Sequence, residues 1–171
     1  MKYLRDEDKC EAWRYRMSNR AELLACVAAE SQRHYAAYTL FNQALADRIG
    51  LHPTDVQCIA LLDLEPGPVT TGQIARLTGL ASGSASRLVD RLESAGFVER
   101  RPDPNDRRRA LVALTPDAAT RIAKIWETPG KAFGTMLDRY TDEQLQTIVA
   151  YLRDAAEVGR DQARRLTTET A

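Results

Sequence analysis

Apolar and aromatic side chains recur at steps of three and four between Ala21 and Ile49: Leu24, Val27, His34/Tyr35, Tyr38, Phe41, Leu45 and Ile49. Such spacing predicts a single stripe along a helix of about eight turns, longer than a small domain needs. The far end of the stripe, with Trp13, Tyr15 and Met17 before it, therefore needs a surface outside its own core, most simply a second copy of the chain. Gly50 closes this helix, and Pro53 sits where a first helical turn tolerates it, opening a second helix with Val56, Ile59 and Leu62. EPGP at 65–68 stops that helix sharply.

The pattern then tightens. Thr70 with Gln73 three residues on is a capping box for a short helix, TTGQIARLTG, which turns Ile74 and Leu77 inward and ends at Gly79. A tight turn, Gly79 to Ala81, leads to a helix from Ser82 to Ala95 with Leu88, Val89 and Leu92 on one side. Ala81 stands where a capping Ser or Thr is preferred, which predicts that Ser82 takes over the cap. Gly96 ends the helix. Phe97 to Arg101 and Ala110 to Leu114 read as two short strands around a polar, proline-containing loop, a hairpin signature. Thr115-Pro116 begins another helix (Ile122, Ile125, Trp126), bent at Pro129-Gly130 and continuing through Phe133, Met136 and Leu137. Thr141 with Gln144 opens a last helix carrying Leu145, Ile148/Val149, Leu152 and Ala155/Ala156, with a polar tail that frays.

Composition adds limits. The 171 residues suit one domain, or a small domain with long helical extensions; 44% hydrophobic and 28% charged residues are globular values, and 6% aromatics suits a helical core better than a β-rich one. The 24 basic and 24 acidic residues cancel, so the whole-chain charge does not point to a polyanionic partner. Distribution does. Between Ala81 and Leu114, seven arginines face five acids, a local excess of two, and five of the seven lie in RRPDPNDRRRALVAL. No apolar window approaches membrane-spanning length and the N-terminus lacks an apolar signal core, so a cytoplasmic location without membrane contact is expected. Cys10, Cys26 and Cys58 are an odd, scattered set, which fits reduced thiols rather than a disulfide framework.

The order short helix, tight turn, helix, strand, arginine-rich hairpin, strand is that of a helix-turn-helix followed by a wing. A helix whose exposed N-terminal face carries small hydroxyls and Gly83 can enter the major groove without obstruction, and its N–H end favours phosphate. An arginine-tipped hairpin can reach the neighbouring minor groove, whose negative potential attracts guanidinium where it is narrow. The fold class expected is mainly α with a small β-hairpin wing. Its parts are a helical dimerisation segment over 1–50, a winged helix-turn-helix lobe over 51–115 and C-terminal dimerisation helices over 116–171. Candidate DNA-binding residues are Thr71, Ser82, Gly83, Ser84, Ser86, Arg87, Arg91, Arg107, Arg108 and Arg109.

GLASGSASRLVDRLESAGFVERRPDPNDRRRALVALTP, Gly79 to Pro116, resembles the MarR family of winged helix-turn-helix transcriptional regulators. The resemblance extends upstream through LHPTDVQCIALL and TTGQIARLTG, about two thirds of the chain. Recognition helix, D-R-L-E, a glycine cap, E-R, D-P-x-D-x-R and an alternating strand occur together at the family's spacing. The resemblance implies that Asp106 holds the wing arginine, Arg108, which enters the minor groove. It also implies a homodimer interdigitated through first and last helices, a near-palindromic double-stranded operator, and release of DNA by a small, often aromatic, effector bound between the dimer region and the DNA lobe. The first twenty residues exceed the family minimum.

Competing readings stand beside these. The arginine hairpin is alternatively a solvated loop that protects a sheet edge. Arg91 and Asp90 either touch DNA or pair with neighbouring elements. His34, Tyr38 and Phe41 are candidates for an effector pocket, and aromatic residues at helical spacing are more often the mark of a core or interface. Some family members sense peroxides through a first-helix thiol, which makes a redox-sensing regulator an alternative. Cys26 does not fall where that branch places its thiol and Cys58 follows an apolar run, so both read as buried structural cysteines. The cysteines with His34 and His52 have no compact metal-ligand spacing, and no cofactor is implied. There is no G-x-S-x-G elbow, phosphate loop or H-E-x-x-H helix, which argues against an enzyme. A winged helix that binds another protein is the third class, distinguished from a DNA reader by its lack of a steep salt dependence.

Overall fold

The computed structural model describes residues 19–106 and 108–168. The chain divides into two compact units with the break between Thr115 and Pro116.

The first unit opens with α1 (Arg20–Ile49), 30 residues capped by Asn19, whose side chain accepts from the Ala21 N–H at 2.9 Å. Its end is a Schellman closure: the Leu51 N–H donates to the Ala46 carbonyl across Gly50, which at φ 70 occupies the left-handed region that glycine enters without a Cβ penalty. The predicted stripe is buried only at this end. Leu45 and Ala46 are covered, while Leu24, Val27, Tyr35 and Tyr38 remain exposed. α2 (Pro53–Asp63) starts on a cap that the sequence pattern did not indicate. His52 is the N-cap, its Nδ1 accepting from the Thr54 N–H at 3.2 Å, and Asp55 reaches back to the His52 N–H at 3.3 Å. Asn42 of α1 donates to the Pro53 carbonyl at 3.1 Å, tying the two helices at their corner.

A two-residue strand, β1 (Val69–Thr70), comes next, followed by α3 (Thr71–Thr78) and α4 (Ser82–Ser94). The capping box of α3 is formed as expected, with Thr70 N–H donating to Gln73 Oε1 at 2.8 Å and Gln73 N–H to Thr70 Oγ1 at 3.2 Å. At the start of α4 the expectation is corrected. Ala81, in extended conformation, is the N-cap with no side-chain bond, and Ser82 is already helical, so its hydroxyl is not placed to cap. The far end of α4 closes as a Schellman motif: Gly96 N–H donates to Glu93 and Phe97 N–H to Leu92, with Gly96 at φ 74.

The hairpin is β2 (Val98–Pro102) and β3 (Ala110–Leu114), antiparallel with Arg100 opposite Val112. β1 adds to the other edge of β3, Val69 opposite Val112, giving the order β1-β3-β2. The core of this unit gathers Ile74 from α3, Leu88, Val89 and Leu92 from α4, Phe97, and Val98 and Val112 from the sheet, all at most 2% exposed. Burying a side chain of this size contributes about 1.5–3 kcal/mol relative to leaving it exposed. α4 and the β2–β3 hairpin are thus seated on one apolar cluster. Thr115 closes the hairpin base, its N–H donating to Phe97 and its hydroxyl to the Gly96 carbonyl.

The second unit holds α5 (Pro116–Leu137) and α6 (Asp142–Thr168). α5 runs as one helix through Pro129. Thr141 and Gln144 form the expected reciprocal cap of α6, at 2.9 and 3.3 Å. α5 and α6 carry exposed Phe133, Met136, Leu137, Val149, Leu152 and Val158.

Candidate nucleic-acid interface

The exposed side of α4 begins with Ser82, Gly83, Ser86 and Arg87; Ser84 and Thr71, the first residue of α3, are half-buried. Leu88, Val89 and Leu92 anchor the opposite side in the core, so the polar residues are presented outward by packing rather than by local propensity. Arg87 donates from Nη2 to Ser84 Oγ at 3.2 Å, one turn back, which points its guanidinium toward the helix N-terminus. Ser86 donates to the Ser82 carbonyl at 3.1 Å, so its hydroxyl lies against its own helix.

The wing loop is built on aspartates. Asp103 Oδ1 accepts from the Asn105 N–H at 2.9 Å, and Asp106 Oδ1 accepts from the Arg108 N–H at 2.9 Å, two successive Asx turns. The Arg109 N–H donates to the Asp106 carbonyl and the Asp103 N–H to the Arg109 carbonyl, which closes the loop's neck. Asp106 therefore supports Arg108, but through the backbone amide. Its hold on the turn, rather than a pairing with the guanidinium, sets where Arg108 starts. Arg108 and Arg109 are exposed at this tip. Arg107 lies outside the described residues, as do Cys10, Trp13, Tyr15 and Met17.

The arginines of the basic stretch separate into two sets. Arg100 bridges Asp90 at 2.5 Å and also Glu93, joining β2 to α4. Hydrogen bonding to Asp90, opposed by partial burial and backed by Glu93, raises its pKa above the ordinary arginine value. Arg101 pairs with Glu99 on its own strand. Both charges are thus largely answered inside the unit, whereas Arg108 and Arg109 stand exposed at the tip. Arg91 likewise has a partner: Nε donates to Asp55 Oδ2 at 3.1 Å and Nη2 to Oδ1 at 2.5 Å, a two-pronged pair between α4 and α2.

On α1, His34, Tyr38 and Phe41 form a row with ring centroids 6.3 and 6.4 Å apart and tilted planes. His34 and Tyr38 are exposed and Phe41 is half-buried. The thiols also differ. Cys58 is 1% exposed, and burial, aided by the nearby Asp55 charge, pushes it up to about 12, as expected of a structural cysteine. Cys26 is only half-buried, a correction to the expectation of a covered thiol, because its stretch of α1 is exposed, with Leu23, Leu24 and Val27 about half uncovered. Among the described residues, no group of three His, Cys, Asp or Glu side chains could hold a metal ion, and no helix is long and apolar enough to cross a membrane.

Comparison with known proteins decides the family. The sequence profile described as MarR family matches residues 49–109, from the α1–α2 corner to the wing tip. The chain is 38% identical over 127 residues to the uncharacterized HTH-type transcriptional regulator YcgE of Bacillus subtilis, spanning 74% of this chain and 82% of the relative. The chain belongs to the MarR family. It is a winged helix-turn-helix, DNA-binding transcription regulator, in a family of regulators rather than enzymes. Another relative, the HTH-type transcriptional repressor NicR of Pseudomonas putida, is 32% identical over 92 residues, 53% of this chain and 54% of NicR. In fold, the chain is similar to the crystal structure of a MarR-family regulator from Silicibacter pomeroyi, with TM-score 0.66 at 23% identity over 84% of this chain and 96% of that one.

The helix-turn-helix and the wing were legible as motifs. Two members of the constellation were not. Asp55 carried a weak signal, an acid three residues after a potential N-cap, but nothing in the sequence links it to Arg91. Arg100 counted toward the basic stretch, and its acidic partners lie a helix away.

Proposed function

We propose that this MarR-family regulator works as a homodimeric repressor that places two copies of α4 in successive major grooves of a near-palindromic operator while Arg108 and Arg109, with Arg107, enter the flanking minor grooves. The observation that carries this reading is the pairing of an unobstructed helix face, Ser82-Gly83-Ser86-Arg87, with a wing tip on which Arg108 and Arg109 are exposed, whereas Arg100 and Arg101 are held in ion pairs. The major groove carries the base code and the minor groove mainly its width, so α4 supplies base identity and the wing supplies affinity. Thr71 and Ser84 flank this face. Residues 51–115 are the DNA-binding lobe, and 1–50 and 116–171 supply dimerisation. The name of NicR supports repression over activation. A small aromatic effector bound near His34, Tyr38 and Phe41 releases DNA by preferring a dimer whose recognition helices are mis-spaced; equal affinity for both states would shift nothing. The protein acts in the cytoplasm.

The test starts from footprinting on the DNA beside the protein's own coding sequence, followed by titration of operator and unrelated duplex at two salt concentrations. Arg108→Ala should weaken binding to both duplexes together and lower the salt slope by about one. Asp106→Asn, which keeps an oxygen to accept the Arg108 N–H, should bind nearly as wild type, and Asp106→Ala should approach Arg108→Ala. Unchanged affinity in Arg108→Ala would make the wing a solubilising loop and remove this reading.

A further inference from the structure

Asp55 is the one charged side chain buried among the described residues, 2% exposed against 50% for the Arg91 side chain that meets it. Its two oxygens take three donors: Arg91 Nε and Nη2, and the His52 N–H. A buried carboxylate answered by a half-exposed guanidinium is a poor device for stability, because the desolvation of the acid offsets most of the attraction. It is, however, an accurate device for geometry, since a two-pronged arginine–carboxylate pair fixes both separation and angle. The pair lies beside an open depression of the surface. Leu51, His52, Asp55, Asp90, Arg91 and Ser94 line an open crevice of about 500 Å³. The ion pair joins α4 to the start of α2 at this crevice.

The three bonds also reach further than two helices. His52 is the cap of α2, and it follows Gly50, where α1 ends; Asn42 of α1 holds the Pro53 carbonyl next to that cap. Asp55 thus stands where the long helix, α2 and α4 meet. We infer that Asp55 is a positioning residue for DNA recognition, which through Arg91 sets the angle at which α4 is presented and ties that angle to the α1–α2 corner, so that Arg91 acts on operator discrimination without contacting DNA. This rests on the operator-binding function proposed above.

The experiment is a mutant cycle on the full-length protein: Asp55→Asn, Arg91→Ala and the double variant, each titrated against operator, single-base operator variants and unrelated duplex at two salt concentrations. Each single variant should lose operator affinity by about tenfold while binding unrelated duplex with an unchanged salt slope, and the double should be no worse than either single. Arg91→Lys, which restores one charged donor, should recover part of the discrimination. If Asp55→Asn fails to fold, judged by its circular dichroism, Arg91→Ala and Arg91→Lys on the exposed side of the pair carry the test by themselves. A salt slope that falls by about one in Arg91→Ala would make Arg91 a phosphate contact and overturn the inference. So would variants that lose thermal stability yet keep full discrimination. Wild type that does not distinguish operator from unrelated duplex would overturn the proposed function and this inference together; wild type that does, with variants that do too, overturns only the inference.

Discussion

At the scale of single residues, burial decides chemistry. Cys58 and Cys26 are the same group on neighbouring helices, yet only the first is sealed in the core. A thiol held up to about 12 in the folded chain stays protonated at neutral pH, and since the thiolate is the reactive form, it is protected from alkylation and oxidation. The folded value lies above the ordinary 9.0, so the folded state holds its proton where the unfolded state has released it. Stability from this group is full below pH 9 and declines as pH rises above it, until the folded value is passed. Urea unfolding between pH 8 and 11 should show this decline flattened in Cys58→Ala relative to wild type. Mass spectrometry after iodoacetamide at pH 8 should find Cys26 labelled in the native protein and Cys58 only after unfolding; native labelling of Cys58 would contradict its burial.

At the scale of elements, the recognition helix carries two choices that cost it stability. Ala81 leaves the first N–H groups of α4 without a side-chain acceptor, and Gly83 sits in its first turn although a Cβ there would meet nothing within 4 Å. Neither is required by packing inside the chain, and both keep the end of the helix slim and its N–H groups open. Ala81→Ser should supply the missing cap and contribute about 1 kcal/mol, read as a rise in Tm at fixed protein concentration. Gly83→Leu should also hold or raise Tm, because leucine is the better helix former, while reducing operator affinity by bulk placed at the groove. Operator binding unaffected by Gly83→Leu would mean that this end of α4 does not approach DNA.

At the scale of the whole molecule, α1 and α6 carry exposed apolar side chains among the described residues: Leu23, Leu24, Val27 and Leu40 on one, Val149, Leu152 and Val158 on the other. Exposed surface of this extent marks an interface, and a second copy is the partner that the proposed dimer supplies. Two-fold symmetry would set the recognition helices about 34 Å apart, matching one turn of B-DNA. Light scattering at micromolar concentration should give a dimer. Leu152→Glu, which places a charge on the α6 face, should shift it toward monomer and lower operator affinity more than affinity for unrelated duplex, since only specific binding needs two correctly spaced half-sites.

Sequence alone determined what is local. The capping boxes at Thr70/Gln73 and Thr141/Gln144, the glycine closures at Gly50 and Gly96 and the alternating strand Ala110–Leu114 each depend on residues a few positions apart, so their physics is written in short windows. Tertiary structure decided what is separated. Val69–Thr70 is too short and too close to proline to read as a strand, and becomes one only because β3 offers an edge. Asp106 was legible as a wing support, but that it holds a backbone amide rather than a guanidinium followed from the turn geometry. Arg91 had two readings of equal standing until Asp55, 36 residues away, was brought against it. Opposite charges attract wherever they meet, and the meeting place is set by which apolar faces pack together, a quantity that no short window contains.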